Sequence, residues 1–339
     1  MSPSATAGTV SWRSRCVSRA DRPAAPGAAI PSREHVALAL RRFLVIFPCF
    51  SFQPLGRVSH MMVSLRIAAA AIALAFAAAA PSATANIIDG TDERDSLLVI
   101  GPSLGLSKAE MDRIRMVSGY VGCFLPTPAL GSGALFLNNR QILTAGHIFF
   151  EDNGQRRTNC FFKTQSVPDV KVDLLVDEAR FGANPLKAGS NYDFAIVPLA
   201  EPIEGAVPFP VNLDVKIKQG DDLIVITAHP AGMEKQVPND VPVAQPCKVR
   251  RVPISTSITS FFRTDCDASG SSSGGMHLSR VNGELVYRGV TITTGLWRDP
   301  ALKGAPYDER RGSVTTALGT DAAIYEAGRT LAIFDRFLD

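Results

Sequence analysis

From Val117 onward the sequence predicts an all-β fold, a sandwich or a pair of barrels, closed by one C-terminal helix. Three observations carry this. Short runs rich in Val, Ile, Phe and Thr recur, and each is cut off by Gly, Pro, Asn or Asp. Asn282-Gly283 stands between two such runs and is a two-residue hairpin signal, because both central positions of that turn need positive φ. No helical stretches alternate with the strands, as a parallel sheet would require.

The chain in front of this region reads as a leader. Met62-Val-Ser-Leu-Arg66 is a short basic start, Ile67 to Ala80 is an alanine-rich apolar core, and Ala83-Thr-Ala85 is a small-x-small cleavage site. Together residues 61–85 form a secretory signal peptide. The apolar run is short for a stable membrane span, which takes about 20 residues. Residues 1–60 are rich in Arg, Ala, Pro and Ser without lasting periodicity, and are expected to be a non-native or disordered extension, with translation starting at Met61 or Met62. Residues 86–116 form an N-terminal segment in which Ser107-Lys-Ala-Glu110 fits a capping box, predicting a short helix to about Met116.

Expected strands then follow at Gly119–Leu125, Ala134–Leu137, Gln141–Thr144, Asn159–Lys163, Val170–Val176 and Phe194–Pro198. Pro202 to Pro210 is proline-spaced and reads as a crossing between two halves. The second half continues at Asp222–Ala228, Lys248–Val252, Ile258–Arg263, Met276–Ser279 and Leu285–Thr294. Trp297–Gly312 is a polar loop. Thr320 or Asp321 is placed to cap a last helix with Ile324, Ala327, Leu331, Phe334 and Leu338 along one face.

Charge and cysteine usage bound the function. Nine of the 35 basic residues but only two of the 32 acidic ones lie in 1–85, so the remainder carries 26 against 30, a net of −4. The basic balance of the whole chain belongs to its leader, and no nucleic-acid partner is expected. Cys123, Cys160, Cys247 and Cys266 remain after the leader, an even number in a chain bound for an oxidising space. Of three possible pairings, Cys123–Cys160 and Cys247–Cys266 is favoured. A zinc site is the alternative, but there is no C-x-x-C and no histidine placed to complete the ligands.

Three stretches carry chemistry. Asp267-Ala-Ser-Gly-Ser-Ser-Ser273-Gly-Gly275 is a serine on a tight glycine-flanked turn. Leu143-Thr-Ala-Gly-His147 offers an imidazole, and Asp193 enters the apolar run Phe194-Ala-Ile-Val. A serine hydroxyl is a weak nucleophile until a base takes its proton, and the base needs a carboxylate to fix its tautomer. Gly270-Ser-Ser-Ser-Gly274 also satisfies the G-x-S-x-G elbow of α/β-hydrolases. That arrangement needs its histidine last, and the only later one, His277, is too near in sequence to arch over the nucleophile. His229 and His277 read as structural histidines, and Lys248, Arg250 and Arg251 as a solvated strand face.

In these three motifs, ordered His, Asp, Ser, the chain resembles the trypsin/chymotrypsin-like serine peptidases of secreted bacterial type. The resemblance spans roughly Val117 to Leu338. It implies two six-stranded β-barrels with a C-terminal helix, a trypsin-like serine peptidase domain over 117–339, and an exported endopeptidase, periplasmic or secreted, that acts on protein or peptide substrates without a cofactor or metal. It assigns His147, Asp193 and Ser273 as the catalytic triad, and the N–H groups of Ser271 and Ser273 as the oxyanion hole. Asp267 lies where trypsin itself binds a basic side chain, although a structural aspartate bonding loop amides is the favoured reading. Thr293 and Thr294 lie on the strand that would edge the substrate pocket. Two positions depart from the family. Ser271 stands where glycine is usual, which keeps open an alternative: a catalytically silent protein of the same fold that binds a partner. Ser272 stands where an aspartate usually receives the new amino terminus, so Ile87-Ile-Asp-Gly90 is not a zymogen switch.

Overall fold

A computed structural model describes residues 85–182, 192–233, 235–252, 260–295 and 303–335, the side chains of 333–335 excepted. Residues 1–84, which hold the expected signal peptide except Ala85, the first part of the Trp297–Gly312 loop, and the side chains of Phe334 and Leu338 lie outside the described residues. All described residues belong to one compact unit that begins at Phe76.

Strand β1 (Asp95–Ser96) runs into a short helix α1 (Leu97–Ile100), followed by α2 (Lys108–Val117). The capping box expected at α2 is present: Ser107 Oγ accepts the Glu110 N–H at 3.2 Å, and Glu110 Oε2 accepts the Ser107 N–H at 2.8 Å. Seven strands then build the first sheet. They are β2 (Ser118–Leu125), β3 (Ala129–Leu135), β4 (Gln141–Thr144), β5 (Thr158–Thr164), β6 (Lys171–Asp173), β7 (Arg180–Phe181) and β8 (Ala195–Pro198), in spatial order β6-β5-β2-β3-β4-β8-β7. The second half contributes β9 (Asp222–Thr227), β10 (Val243–Arg251), β11 (Phe261–Thr264), β12 (Met276–Val281), β13 (Glu284–Thr294) and β14 (Thr315–Gly319), before α3 (Ala322–Asp335).

The second sheet closes on itself. Its order is β1-β10-β11-β14-β13-β12-β9, and β9 also pairs with β10 from Thr227–Val243 to Asp222–Lys248. The result is a closed barrel of six strands with β1 as an added edge. The first sheet differs from the expected second closed barrel: among the described residues it is an open half-barrel, with an isolated Leu174–Leu199 bridge drawing the end of β6 toward the end of β8.

Two hydrophobic clusters sit inside. The larger joins both halves, with Phe136 of the first half meeting Tyr287 of β13 edge-to-face at 5.8 Å. The smaller fills the closed barrel with Leu223, Val225, Val249, Phe262 and Ala317. Both expected disulfides are in place. Cys123 and Cys160 are direct cross-strand partners on β2 and β5, and Cys247 on β10 reaches Cys266 just past β11. Asp321 caps α3 by accepting the Ala323 and Ile324 N–H groups, and Ile324 is fully buried.

Candidate active site

Strand pairing brings the imidazole and its carboxylate together. Thr144, at the end of β4, is the register partner of Ala195, at the start of β8. His147 lies three residues beyond the one and Asp193 two residues before the other, so both side chains emerge at the same end of the sheet. Asp193 is fully buried. Its Oδ1 accepts the His147 backbone N–H at 2.9 Å and its Oδ2 accepts the Nδ1–H of the ring at 2.8 Å. With the proton placed on Nδ1 by that carboxylate, Nε2 is left as an acceptor, and it lies 3.0 Å from Ser273 Oγ. The imidazole remains about one quarter exposed (27%), open to an incoming substrate.

The serine loop is fastened to both halves. The Ser273 carbonyl accepts the Ser132 N–H of β3 at 2.7 Å, and Ser132 Oγ donates to the Ser271 carbonyl at 2.8 Å while accepting the Ala228 N–H at 2.9 Å. Behind the nucleophile, Gly274 N–H donates to Thr291 O and Thr291 N–H to Gly275 O, which ties the turn to β13. Gly274 has φ +85°, and a Cβ there would overlap the Ser132 carbonyl and the Thr144 hydroxyl. No residue but glycine fits directly after the serine. Ser132 is the contributor that sequence reasoning did not single out. Its only signal is the compact Gly131-Ser-Gly133 setting, and Gly131 too has no room for a side chain, against Ile148 and the Ser273 carbonyl.

Ser269 N–Ser272 is a tight turn closed by the Ser272 N–H to Ser269 O bond at 3.0 Å, with Ser271 at φ +69° in its third position. This is the left-handed conformation that normally selects glycine. Ser271 adopts it because its carbonyl is held by Ser132 and the preceding Gly270 carbonyl accepts the Ala231 N–H at 2.8 Å. The peptide on each side of Ser271 is therefore fixed. The N–H groups of Ser271 and Ser273 take no protein acceptor among the described residues. Backbone N–H donors without a protein acceptor, at the nucleophile and two residues before it, are what an oxyanion needs.

The remaining expected residues fall as follows. Thr293 is half-buried near the end of β13, opposite Thr316. Asp267 is 3% exposed, and its carboxylate faces the N-terminal segment: Oδ1 accepts Ile88 N–H at 2.8 Å and Oδ2 accepts Glu93 N–H at 2.9 Å. A basic side chain of a substrate would have to displace both, so the substrate-binding expectation for Asp267 gives way to the structural one. Burial pushes this carboxyl up to about 6, against the two amide bonds that favour its charge. His277 is wholly buried, bonded to Thr291 Oγ1 at 2.8 Å, and pushed down to about 3 by burial. His229 lies within 2.9 Å of the Val237 carbonyl. No cluster of metal-ligating side chains occurs among the described residues.

Residues 131–286 match the family model for a trypsin-like peptidase domain. Among solved structures, a Glu endopeptidase aligns with a TM-score of 0.49 at 15% identity, over 71% of this chain and 97% of that one. A protease named Anisep from Arthrobacter nicotinovorans aligns with a TM-score of 0.45 at 16% identity, over 64% of this chain and 96% of that one. No curated protein matches this chain in sequence.

Proposed function

Because residues 131–286 match the model of a trypsin-like peptidase domain, we propose that this chain is an exported serine endopeptidase working through an acyl-enzyme on Ser273. The observation that carries the reading is the unbroken Asp193–His147–Ser273 hydrogen-bond chain, at 2.8 and 3.0 Å. His147 Nε2 takes the Ser273 hydroxyl proton as Oγ attacks the scissile carbonyl carbon. Asp193, buried and doubly bonded to His147, stabilises the imidazolium that forms. The carbonyl oxygen gains its charge between the Ser271 and Ser273 N–H groups. His147 then returns the proton to the leaving amine, the C–N bond breaks, and the acyl group stays on Oγ. Water repeats the sequence with the same base, which frees the carboxylic acid and restores the serine.

Export rests on the signal-peptide pattern of residues 61–85, and the two disulfides are compatible with it. No helix among the described residues is long and apolar enough to cross a membrane. The test is fluorophosphonate labelling of residues 86–339 with the labelled peptide mapped by mass spectrometry. Label on Ser273, absent in Ser273→Ala, is expected. A folded, disulfide-bonded protein that stays unlabelled would refute the enzyme and favour a silent binding protein.

A further inference from the structure

The turn that carries the nucleophile has no carboxylate of its own to hold it. Ser272, buried directly before Ser273, closes instead on Ser269: its Oγ accepts the Ser269 N–H and its N–H donates to the Ser269 carbonyl, both at 3.0 Å. Whatever holds Ser269 therefore holds the turn. Ser269 Oγ donates to the Ala231 carbonyl at 2.7 Å and accepts from Arg94 Nη1 at 2.8 Å. Arg94 comes from the N-terminal segment, and its side chain is 2% exposed. Asp92 aims it, with Oδ1 taking Nε–H at 2.9 Å and Oδ2 taking Nη2 at 2.8 Å. A buried guanidinium is costly unless its donors are met, and here they are met by one carboxylate and by the serine loop.

The same segment grips the loop at two more points. Asn86 and Ala268 form an antiparallel bridge, with N–H to O distances of 2.5 and 3.0 Å. Asp267 draws in the Ile88 and Glu93 amides, and its own N–H and C=O are held by the Gln245 side-chain amide at 2.8 and 2.6 Å. Three consecutive loop residues, 267 to 269, are thus bound by residues 86 to 94. From there the path to Ser271 and Ser273 runs through the turn that Ser269 closes and through Ala231, which takes Ser269 Oγ on its carbonyl and donates its N–H to the Gly270 carbonyl.

We propose that residues 86–94 are the positioning element of this active site, with Arg94 and Asp267 as positioning residues that hold Ala268–Ser272 so that the Ser271 and Ser273 N–H groups stay aimed at the reacting carbonyl. The proposal rests on the triad reading above. It assigns Asp267 to holding the loop, and a preference for Lys or Arg substrates through this carboxylate is not expected.

The experiment compares wild type, Arg94→Ala, Arg94→Lys, Ser269→Ala and Arg280→Ala in the chain from residue 86 onward. Arg280 pairs with Glu110 at 2.8 Å, away from the loop, and serves as a control for lost stability alone. Two readouts are taken well below each Tm: the rate of fluorophosphonate labelling with kcat and KM on an ester substrate, and hydrogen exchange of the 269–273 amides. Arg94→Ala and Ser269→Ala are expected to lower the labelling rate and kcat by about ten- to a hundredfold with KM little changed, as for ångström-scale misplacement of a reacting group. Their loop amides are expected to exchange faster, Arg94→Lys to recover part of both, and Arg280→Ala to match wild type in both. Arg94→Ala with wild-type exchange at 269–273, or with losses no larger than those of Arg280→Ala, would overturn the proposal. Absence of label on the wild type refutes the enzyme reading instead, and the exchange data then decide the positioning claim by themselves.

Discussion

Ser271 shows what one Cβ does at a strained backbone position. At φ +69° a serine pays about 1 kcal/mol relative to glycine for left-handed sterics. The bonds to Ser132 and Ala231 meet that cost, so the turn keeps its geometry with a side chain present. Ser271→Gly is expected to stabilise the protein by up to about 1 kcal/mol, less the entropy that glycine adds to the unfolded chain. Denaturant melts measure it, and a net destabilisation would contradict the strain. Asp267 makes a second prediction, with a sign. Its carboxyl rises from an ordinary 3.8 to about 6 in the fold because burial disfavours the charge. Between those values the folded state holds more protons than the unfolded one, so this group's contribution to stability falls as pH rises from about 4 to about 6 and is level above. Asp267→Asn should remove that slope; a variant whose pH–stability curve runs parallel to wild type through this window would count against it.

At the scale of elements, the clearest case is the helix α2 start. Ser107 and Glu110 satisfy each other's backbone N–H groups, and Glu110 is also bonded to Arg280 on β12 at 2.8 and 3.1 Å. The Arg280 bond is the main reason its carboxyl is held down at about 2 rather than an ordinary 4.5. A depressed carboxylate contributes stability that is complete above about 4.5 and lost as pH falls through 2. Glu110→Gln should therefore cost about 1 kcal/mol at neutral pH, discounted for partial exposure, and nothing near pH 2. Equal losses at both pH values would place the cost in packing. Elements were legible in the sequence where a local signal existed. The capping box, the Asn282-Gly283 hairpin and the Asp321 cap all stand. Strand β14 was not legible, because Thr315-Thr-Ala-Leu-Gly319 is buried throughout and so shows no alternation. Strand β3 begins at Ala129, earlier than expected, because Gly131-Ser-Gly133 in its middle carries no strand signal.

For the whole molecule, the two disulfides span the two halves unequally. Cys123–Cys160 encloses 37 residues of separation and Cys247–Cys266 encloses 19. Loop-closure entropy assigns the longer about 4 kcal/mol and the shorter about 3 kcal/mol. Paired alanine replacement of Cys123 and Cys160 should accordingly lower stability more than replacement of Cys247 and Cys266. Chemical denaturation reads the difference, and the reverse order would mean that native packing outweighs chain entropy here. The second pair lies immediately before Asp267, so its removal should also slow labelling of Ser273, whereas loss of the first should act on stability alone.

By itself the sequence determined the all-β class, the favoured cysteine pairs and the residues of the candidate triad. Each of these depends on local composition, turn chemistry or a motif only a few residues long, and such information survives without coordinates. Only the tertiary structure decided which half closes into a barrel, that Ser132 bridges the nucleophile's turn to the first sheet, and that Asp267 faces the N-terminal segment. Those outcomes depend on contacts between residues far apart in the chain, 179 positions in the case of Ile88 and Asp267. A carboxylate looks the same in sequence whether its partner is a substrate or the chain's own backbone; burial and the direction of two N–H bonds tell them apart.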